Sequence, residues 1–224
     1  MADANDATQR PDLPAFARFE IRRAPAYDLF KRLLDLAVGI VILVLLLPVI
    51  PAIAIMIKLD SPGPVFFKQD RVGRSGRVFK FYKFRSMFSG SETRRSEVAP
   101  LNEQTGPIFK MRSDPRITSV GGFLRRSSLD EIPQIFNVLK GDMSLVGPRP
   151  QMPDEAAQYE PWHRLRLAVK PGITGLWQIR GRSQISFDEW MRLDIEYIKT
   201  RSWWVDITIL AKTLPAVMAR RGAY

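Results

Sequence analysis

The 224-residue chain has no cysteine and one histidine, His163. Without thiols there is no disulfide framework, cysteine nucleophile, Cys/His zinc site or iron–sulfur cluster. A Ser-His-Asp triad would have to use His163, and its neighbours Pro161, Trp162 and Arg164 carry no supporting signature. The sequence also lacks GxxxxGK[ST] and GxGxxG, so P-loop and Rossmann-type cofactor binding find no support. Nor is there an Asp-x-Asp pair of the kind that holds a metal-bound nucleotide in many sugar-nucleotide transferases. Acidic residues are scarce: 23 Asp+Glu against 34 Lys+Arg give a net charge of +11, which selects anionic partners such as phosphates, nucleic acid or an acidic lipid surface. What remains for catalysis is carboxylate, arginine, lysine and backbone chemistry. The length suits one medium domain with small appendages.

Residues 1–25 are polar, contain Pro11, Pro14 and Pro25, and show no apolar periodicity, which predicts a flexible N-terminal arm. The apolar segment that follows comes too late and runs too long for a secretory signal. From Leu36 to Ile57 there are 22 residues without a charge, enough for a membrane helix. Pro48 and Pro51 interrupt it, leaving arms of 12 and six residues, each short of the ~30 Å hydrocarbon core. Both flanks are basic, with Arg22, Arg23, Lys31 and Arg32 before the run and Lys58, Lys68, Arg71 and Arg74 among those after it. A spanning helix would put one flank on the wrong side, whereas a re-entrant helical hairpin over 26–58 keeps both in the cytoplasm. The competing readings are a proline-kinked transmembrane helix and a buried core helix.

Past the turn cluster Asp60-Ser61-Pro62-Gly63-Pro64, Val65–Phe67 and Arg77–Arg85 read as two strands around Gly73-Arg74-Ser75-Gly76. In the second strand Phe79 and Phe81 alternate with Lys80 and Tyr82, the pattern of a half-buried hairpin. Residues 86–106 read as a polar mobile loop, 106–150 as a compact block, and 186–219 as two helices. Trp203-Trp204 beside Arg201 fits either an interfacial helix lying on headgroups or a core position. The expected fold is α+β and mainly helical: a re-entrant hairpin, a small β-hairpin, interfacial amphipathic helices, and a cytoplasmic catalytic domain over 59–224.

The adjacent carboxylates Asp130-Glu131 are the sharpest chemical feature. They follow Arg125-Arg126 and precede the apolar run Ile132–Leu139, with Pro133 placed for a first helical turn, so Asp130 reads as an N-cap. The same setting suits phosphate chemistry, with an ionised Asp attacking phosphorus and the neighbouring Glu holding Mg²⁺ on phosphate oxygens. Capping and catalysis both stay open on these residues alone. Three Gly/Pro-shaped loops present cations as anion sites would: Val146–Pro150 with Arg149, Lys170–Gly175, and Arg180–Ser183 with Arg182.

In order, the segments KRLLDLAVGI, SPGPVFFKQDRVG, FKFYKFRSM, RRSSLDEIPQIFNVLKGDMSLVGPRP and KPGITGLWQIRGR resemble the bacterial sugar transferase family, the monotopic polyprenol-phosphate phosphoglycosyl transferases. The likeness covers about residues 27–224. TGPIFKMRSDPRIT and the terminal GAY look most like the catalytic portion of enzymes that initiate exopolysaccharide and O-antigen assembly. The larger of those relatives carry extra N-terminal membrane helices, which these residues do not include.

The resemblance implies transfer of a sugar-1-phosphate from a UDP-sugar to undecaprenyl phosphate at the cytoplasmic face of the bacterial inner membrane, releasing UMP. It also implies a covalent intermediate on Asp130, Mg²⁺ assisted by Glu131, and substrate contacts from Lys83, Arg125, Arg149 and Arg182. The family breaks its re-entrant helix at a Ser-Pro pair, where this chain has Leu47-Pro48. Membrane lipid joins the implied partners, nucleic acid does not, and a homodimer stays open. Two other readings remain: a non-catalytic, membrane-anchored basic module binding anionic lipid or nucleic acid, and a transferase that makes a direct glycosidic bond and releases UDP. No segment identifies the sugar.

Overall fold

The computed structural model describes residues 24–104, 106–109, 111, 113–181 and 185–218. Nearly all of the predicted arm, and Arg182, lie outside the described residues. Helix α1 (Pro25–Leu46) opens on Pro25, whose missing N–H is no loss in a first turn. Helix α2 (Val49–Asp60) follows at a 60° bend. Neither helix alone is long and apolar enough to cross a membrane, although the bent pair together reaches that length and composition.

Pro48 causes the bend, because its ring collides with the carbonyl four residues back and it offers no N–H to continue the ladder. Leu47 closes a tighter turn instead, donating to the Val44 carbonyl at 3.3 Å. Pro51 was expected to share the break and does not. It is the third residue of α2, where backbone N–H groups have no helical partner, so it fits without a kink.

Strands β1 (Phe66–Val72) and β2 (Val78–Phe84) form the expected antiparallel hairpin, with register from Phe66↔Phe84 to Val72↔Val78. Ser75 and Gly76 turn the corner with φ of 58° and 79°. Phe79 and Phe81 face the main core, while Val78 and Lys80 are exposed. Phe84 is buried on the opposite face, in a second cluster with Ile53 and Ile57 of α2 and Leu124. The hairpin is therefore covered on both sides at its end, where α2 packs. Arg85 fastens that junction by donating to the carbonyl of Ile57 in the last turn of α2 and to those of Ser61 and Pro62 just past its end.

Residues 86–106, expected as a loop, instead contain the short helix α3 (Arg95–Val98) and a 3₁₀ turn, and Met87 bridges to Ile117. The polar composition concealed this because Ser86 and Ser91 are buried. Helix α4 (Ser119–Arg126) is capped by Thr118, whose hydroxyl accepts from Gly121 N–H. It lies so close to the strand exit that a Cβ on Gly121 would sit 2.0 Å from the Ser86 carbonyl oxygen.

Helix α5 (Gln134–Lys140) leads into β3 (Ser144–Val146), and β3 pairs in parallel with β4 (Gly172–Thr174). This second two-stranded sheet was not expected. Between and after them come α6 (Pro153–Ala157), α7 (Leu176–Arg180), α8 (Phe187–Thr200) and α9 (Trp203–Met218). The main core gathers Phe81, Val138, Met143, Met191, Tyr197 and Ile209. Trp203 and Trp204 stack on each other and are exposed, which removes the core reading for them.

Helix α1 is docked onto this core by polar groups. Asp35 accepts from Ser144 Oγ at 2.9 Å and Leu145 N–H at 2.8 Å, and Arg32 donates to the Val138 and Leu139 carbonyls at the end of α5. The opposite side of the helix leaves Ile40, Val41, Val44 and Leu45 exposed.

Candidate active site

The dyad does not cap a helix. Arg125 and Arg126 end α4, Ser128 reverses the chain with φ of 58°, and Leu129–Glu131 form a 3₁₀ turn. Helix α5 starts only after Pro133, which itself occupies the N-cap position and makes no side-chain cap bond. The expected placement of Asp130 as N-cap thus fails, because Pro133 interrupts the hydrogen-bond ladder and the preceding residues take tighter turns. Both carboxylates are left free to face a cleft.

Three elements bring cations to them. Lys83, near the end of β2, places Nζ 3.0 Å from Glu131 Oε1 and 3.4 Å from Asp130 Oδ2. Arg149, on the loop leaving β3, places Nη2 2.6 Å from the same Glu131 oxygen. Arg125 donates from Nε to Ser86 Oγ at 2.9 Å and lines the same cleft. Arg126, its neighbour, points to solvent. The cleft measures about 1620 Å³ and contains Lys83, Arg125, Asp130, Glu131 and Arg149 in its walls. Four of the five candidate substrate or catalytic positions outside Asp130 are therefore gathered around it; Arg182 lies outside the described residues.

The two carboxylates differ electrostatically. Burial pushes both upward, but for Glu131 the charges and hydrogen bonds of Arg149 and Lys83 prevail and hold it well below the usual carboxylate range. For Asp130, burial and the neighbouring Glu131 charge outweigh the opposing charges of Lys83, Arg125 and Arg149, its one hydrogen bond to a cation is the longer Lys83 contact, and it stays raised. Glu131 is thus the fixed anion of the site, and Asp130 the more basic and less engaged carboxylate.

The loop that carries Arg149 is held rigidly. Gly147 N–H donates to Thr174 O and Gly172 N–H to Pro148 O, both at 2.8 Å. A Cβ on Gly172 would lie 2.1 Å from Gly147 N, so the two loops cross with no room for a side chain. Beneath, Arg166 donates to the Arg149 carbonyl at 2.7 Å, to Tyr159, and to buried Asp194 at 2.5 Å. The Arg149 guanidinium also stands 5.8 Å from the Trp177 ring.

Sequence reasoning missed Arg71, Arg166 and Asp194. Arg71 lines the cleft and donates to Gln69 Oε1 at 2.6 Å and the Pro150 carbonyl at 3.2 Å, and burial draws its pKa down to about 10. Asp194 had a readable signal. It occupies the apolar stripe Phe187, Trp190, Met191, Tyr197, Ile198 of α8, where a carboxylate requires a buried partner.

The family described as "Bacterial sugar transferase" matches residues 26–220. Among individual relatives, "Galactosyl transferase CpsE" of Streptococcus agalactiae serotype III is 48% identical over 194 residues, covering 86% of this chain and 43% of the relative. "Undecaprenyl-phosphate galactose phosphotransferase" of Salmonella typhimurium is 44% identical over 198 residues, 87% of this chain and 41% of the relative. "Exopolysaccharide production protein ExoY" of Sinorhizobium fredii is 37% identical over 204 residues, 89% of this chain and 90% of the relative. The chain therefore spans about two fifths of the first two relatives and nearly the whole of the third.

Proposed function

The chain belongs to the bacterial sugar transferase family, and from that premise we propose that it transfers a sugar-1-phosphate from a UDP-sugar to undecaprenyl phosphate at the cytoplasmic face of the bacterial inner membrane. The observation that carries this reading is the pairing of a raised, lightly engaged Asp130 with a Glu131 locked to Lys83 and Arg149, both opening on one cleft. A carboxylate oxygen of Asp130 forms a bond to the donor's β-phosphorus while the bond to the bridging oxygen breaks, and UMP leaves with the electron pair. An oxygen of the lipid phosphate then attacks the same phosphorus, Asp130 departs as a carboxylate, and a lipid diphosphate sugar is formed. Arg149, Arg125 and Lys83 offset the phosphate charge, with Arg149 supplying a planar fork. Arg182 joins this set on the resemblance alone.

Mg²⁺ fits the donor set. Among the described residues no third carboxylate or histidine joins the dyad, and Mg²⁺ is commonly held by one or two carboxylates completed by substrate phosphates and water. Glu131, with Asp130 beside it, would hold the ion against the diphosphate, where its charge offsets that of the phosphate oxygens. Incubating the protein with a sugar-labelled UDP-sugar and a bacterial lipid extract tests the activity. Label should enter the lipid phase in step with UMP release. Label that never leaves the aqueous phase sinks the reading in favour of a non-catalytic basic module, and UDP in place of UMP sinks it in favour of direct glycosidic transfer.

Arg149→Lys keeps the charge but loses the fork, so donor kcat/KM should fall at least tenfold, about 1.4 kcal/mol. A merely solvated turn residue would change it by less than about 0.5 kcal/mol. Glu131→Gln should instead shift the Mg²⁺ concentration needed for half-maximal rate. Steady-state kinetics over donor and Mg²⁺ series separate the two effects, and an unchanged Mg²⁺ profile would remove Glu131 from that role.

The bent pair α1–α2 is read as the re-entrant anchor. The 12-residue α2 is about 18 Å long, well short of the ~30 Å core, and its exposed Ile55 and Leu59 would otherwise face water. Because the chain lacks cysteine, Ala26→Cys and Lys68→Cys each introduce one thiol, at exposed positions in the first turn of α1 and beyond α2. Neither should react with a membrane-impermeant maleimide in intact cells, and labelling of one alone would establish a span instead.

A further inference from the structure

The cleft is larger than a dyad and a diphosphate require, and its lining divides in two. One part holds Lys83, Arg125 and Arg149 with the carboxylates. The other is built by two helices. Leu34, Val38, Ile42 and Leu46 recur every four residues on α1 and so form one stripe, and Ile207 and Leu210 bring the matching face of α9. The stripe borders the face that docks on the core through Asp35 and Gly39, with Val38 and Ile42 themselves resting against the core on one side, and it lies apart from the exposed Ile40 and Val44. All four stripe residues are half-buried, with the cleft on their open side.

An occupant of the whole cleft must carry an anionic head for the cations and a long apolar tail for the helical walls. We propose that the groove between α1 and α9 receives the isoprenoid tail of a polyprenyl phosphate, whose phosphate sits at the Lys83–Arg125 end. This rests on the reading that the acceptor is such a lipid. The length of the stripe makes the proposal quantitative. Twelve residues separate Leu34 from Leu46, about 18 Å of helix, and each isoprene adds four chain bonds, roughly 5 Å when extended. The groove therefore grips about the first four units, and any remaining chain lies outside it.

The test is a series of acceptors with two, four, eight and eleven isoprene units, comparing kcat/KM for the wild type and for Ala211→Trp. Ala211 is an exposed cleft residue on α9 next to Leu210, so an indole there takes up space in the groove. For the wild type, kcat/KM should rise at least about tenfold from two to four units and less than about threefold from four to eleven. Ala211→Trp should remove most of that rise, and it should release UMP from donor alone at the wild-type rate, which verifies folding and the first half-reaction. Equal rates at all lengths would overturn the proposal and leave the groove to an acyl chain of the bilayer. A steady rise to eleven units, or a rise with length that is undiminished in Ala211→Trp, would also overturn it. UMP release with no transfer to any length would overturn the acceptor reading and this proposal together.

Discussion

Asp130→Asn should lower turnover at least a thousandfold, about 4 kcal/mol in the barrier, and abolish the protein-bound sugar phosphate that forms with donor alone. The amide keeps the shape of the carboxyl group but is no nucleophile. The substitution is also a clean one for folding. A carboxyl whose pKa is raised in the folded state contributes stability that is present at low pH and lost as pH rises through that value, so above it Asp130 has none to give up. Lys83 keeps its shorter contact with Glu131. Thermal unfolding of the variant should match or exceed that of the wild type. A variant retaining more than a tenth of the rate, only ~1.4 kcal/mol, would end the case for covalent catalysis by Asp130.

The second large effect is on stability, at a position no motif marks. Asp194→Ala should destabilise the protein by about 3–5 kcal/mol, because it leaves the Arg166 guanidinium buried without its counter-charge. In a chain of this size that corresponds to a fall of roughly 10 °C in Tm. The intact pair adds little net stability: burial pushes the Asp194 carboxyl up to about 6 although Arg166 draws it down. The damage comes from removing one partner, so the double variant Arg166→Met with Asp194→Leu should recover most of the loss. Arg166 also holds the Arg149 carbonyl, and the double variant should therefore regain its Tm yet keep a raised KM for the donor. Equal loss in single and double variants would contradict an unpaired-charge origin.

Features that depend on local sequence were legible. The alternation of Phe79 and Phe81 with polar neighbours, bounded by a glycine turn, predicted the hairpin and its buried face. Pro48 predicted the bend, and the carboxylates stood out by their adjacency, whereas Lys83, which meets them with Arg125 and Arg149 at one cleft, was implied by the family resemblance and not by any local pattern.

What failed depends on context beyond the local pattern. Pro51 looks as disruptive as Pro48 until α2 is seen to begin at Val49, which makes it harmless. Asp130 looks like a cap until Ser128 takes a left-handed conformation and Pro133 delays the helix. The β3–β4 pair consists of two three-residue strands joined by backbone across 28 positions, too short to leave a side-chain pattern. Arg71 and Arg166 appear as ordinary basic residues, because the carbonyls of Pro150 and Arg149 that they serve belong to a distant loop.

The central claim is that the donor is cleaved between its two phosphates rather than between phosphate and sugar. Labelling the β-phosphorus of the UDP-sugar with ³²P and separating lipid from nucleotide after turnover with undecaprenyl phosphate tests that directly. The label should move into the lipid product and leave unlabelled UMP behind, with a transient fraction on the wild-type protein and none on Asp130→Asn. Label retained in UDP while the sugar reaches the lipid would contradict the account.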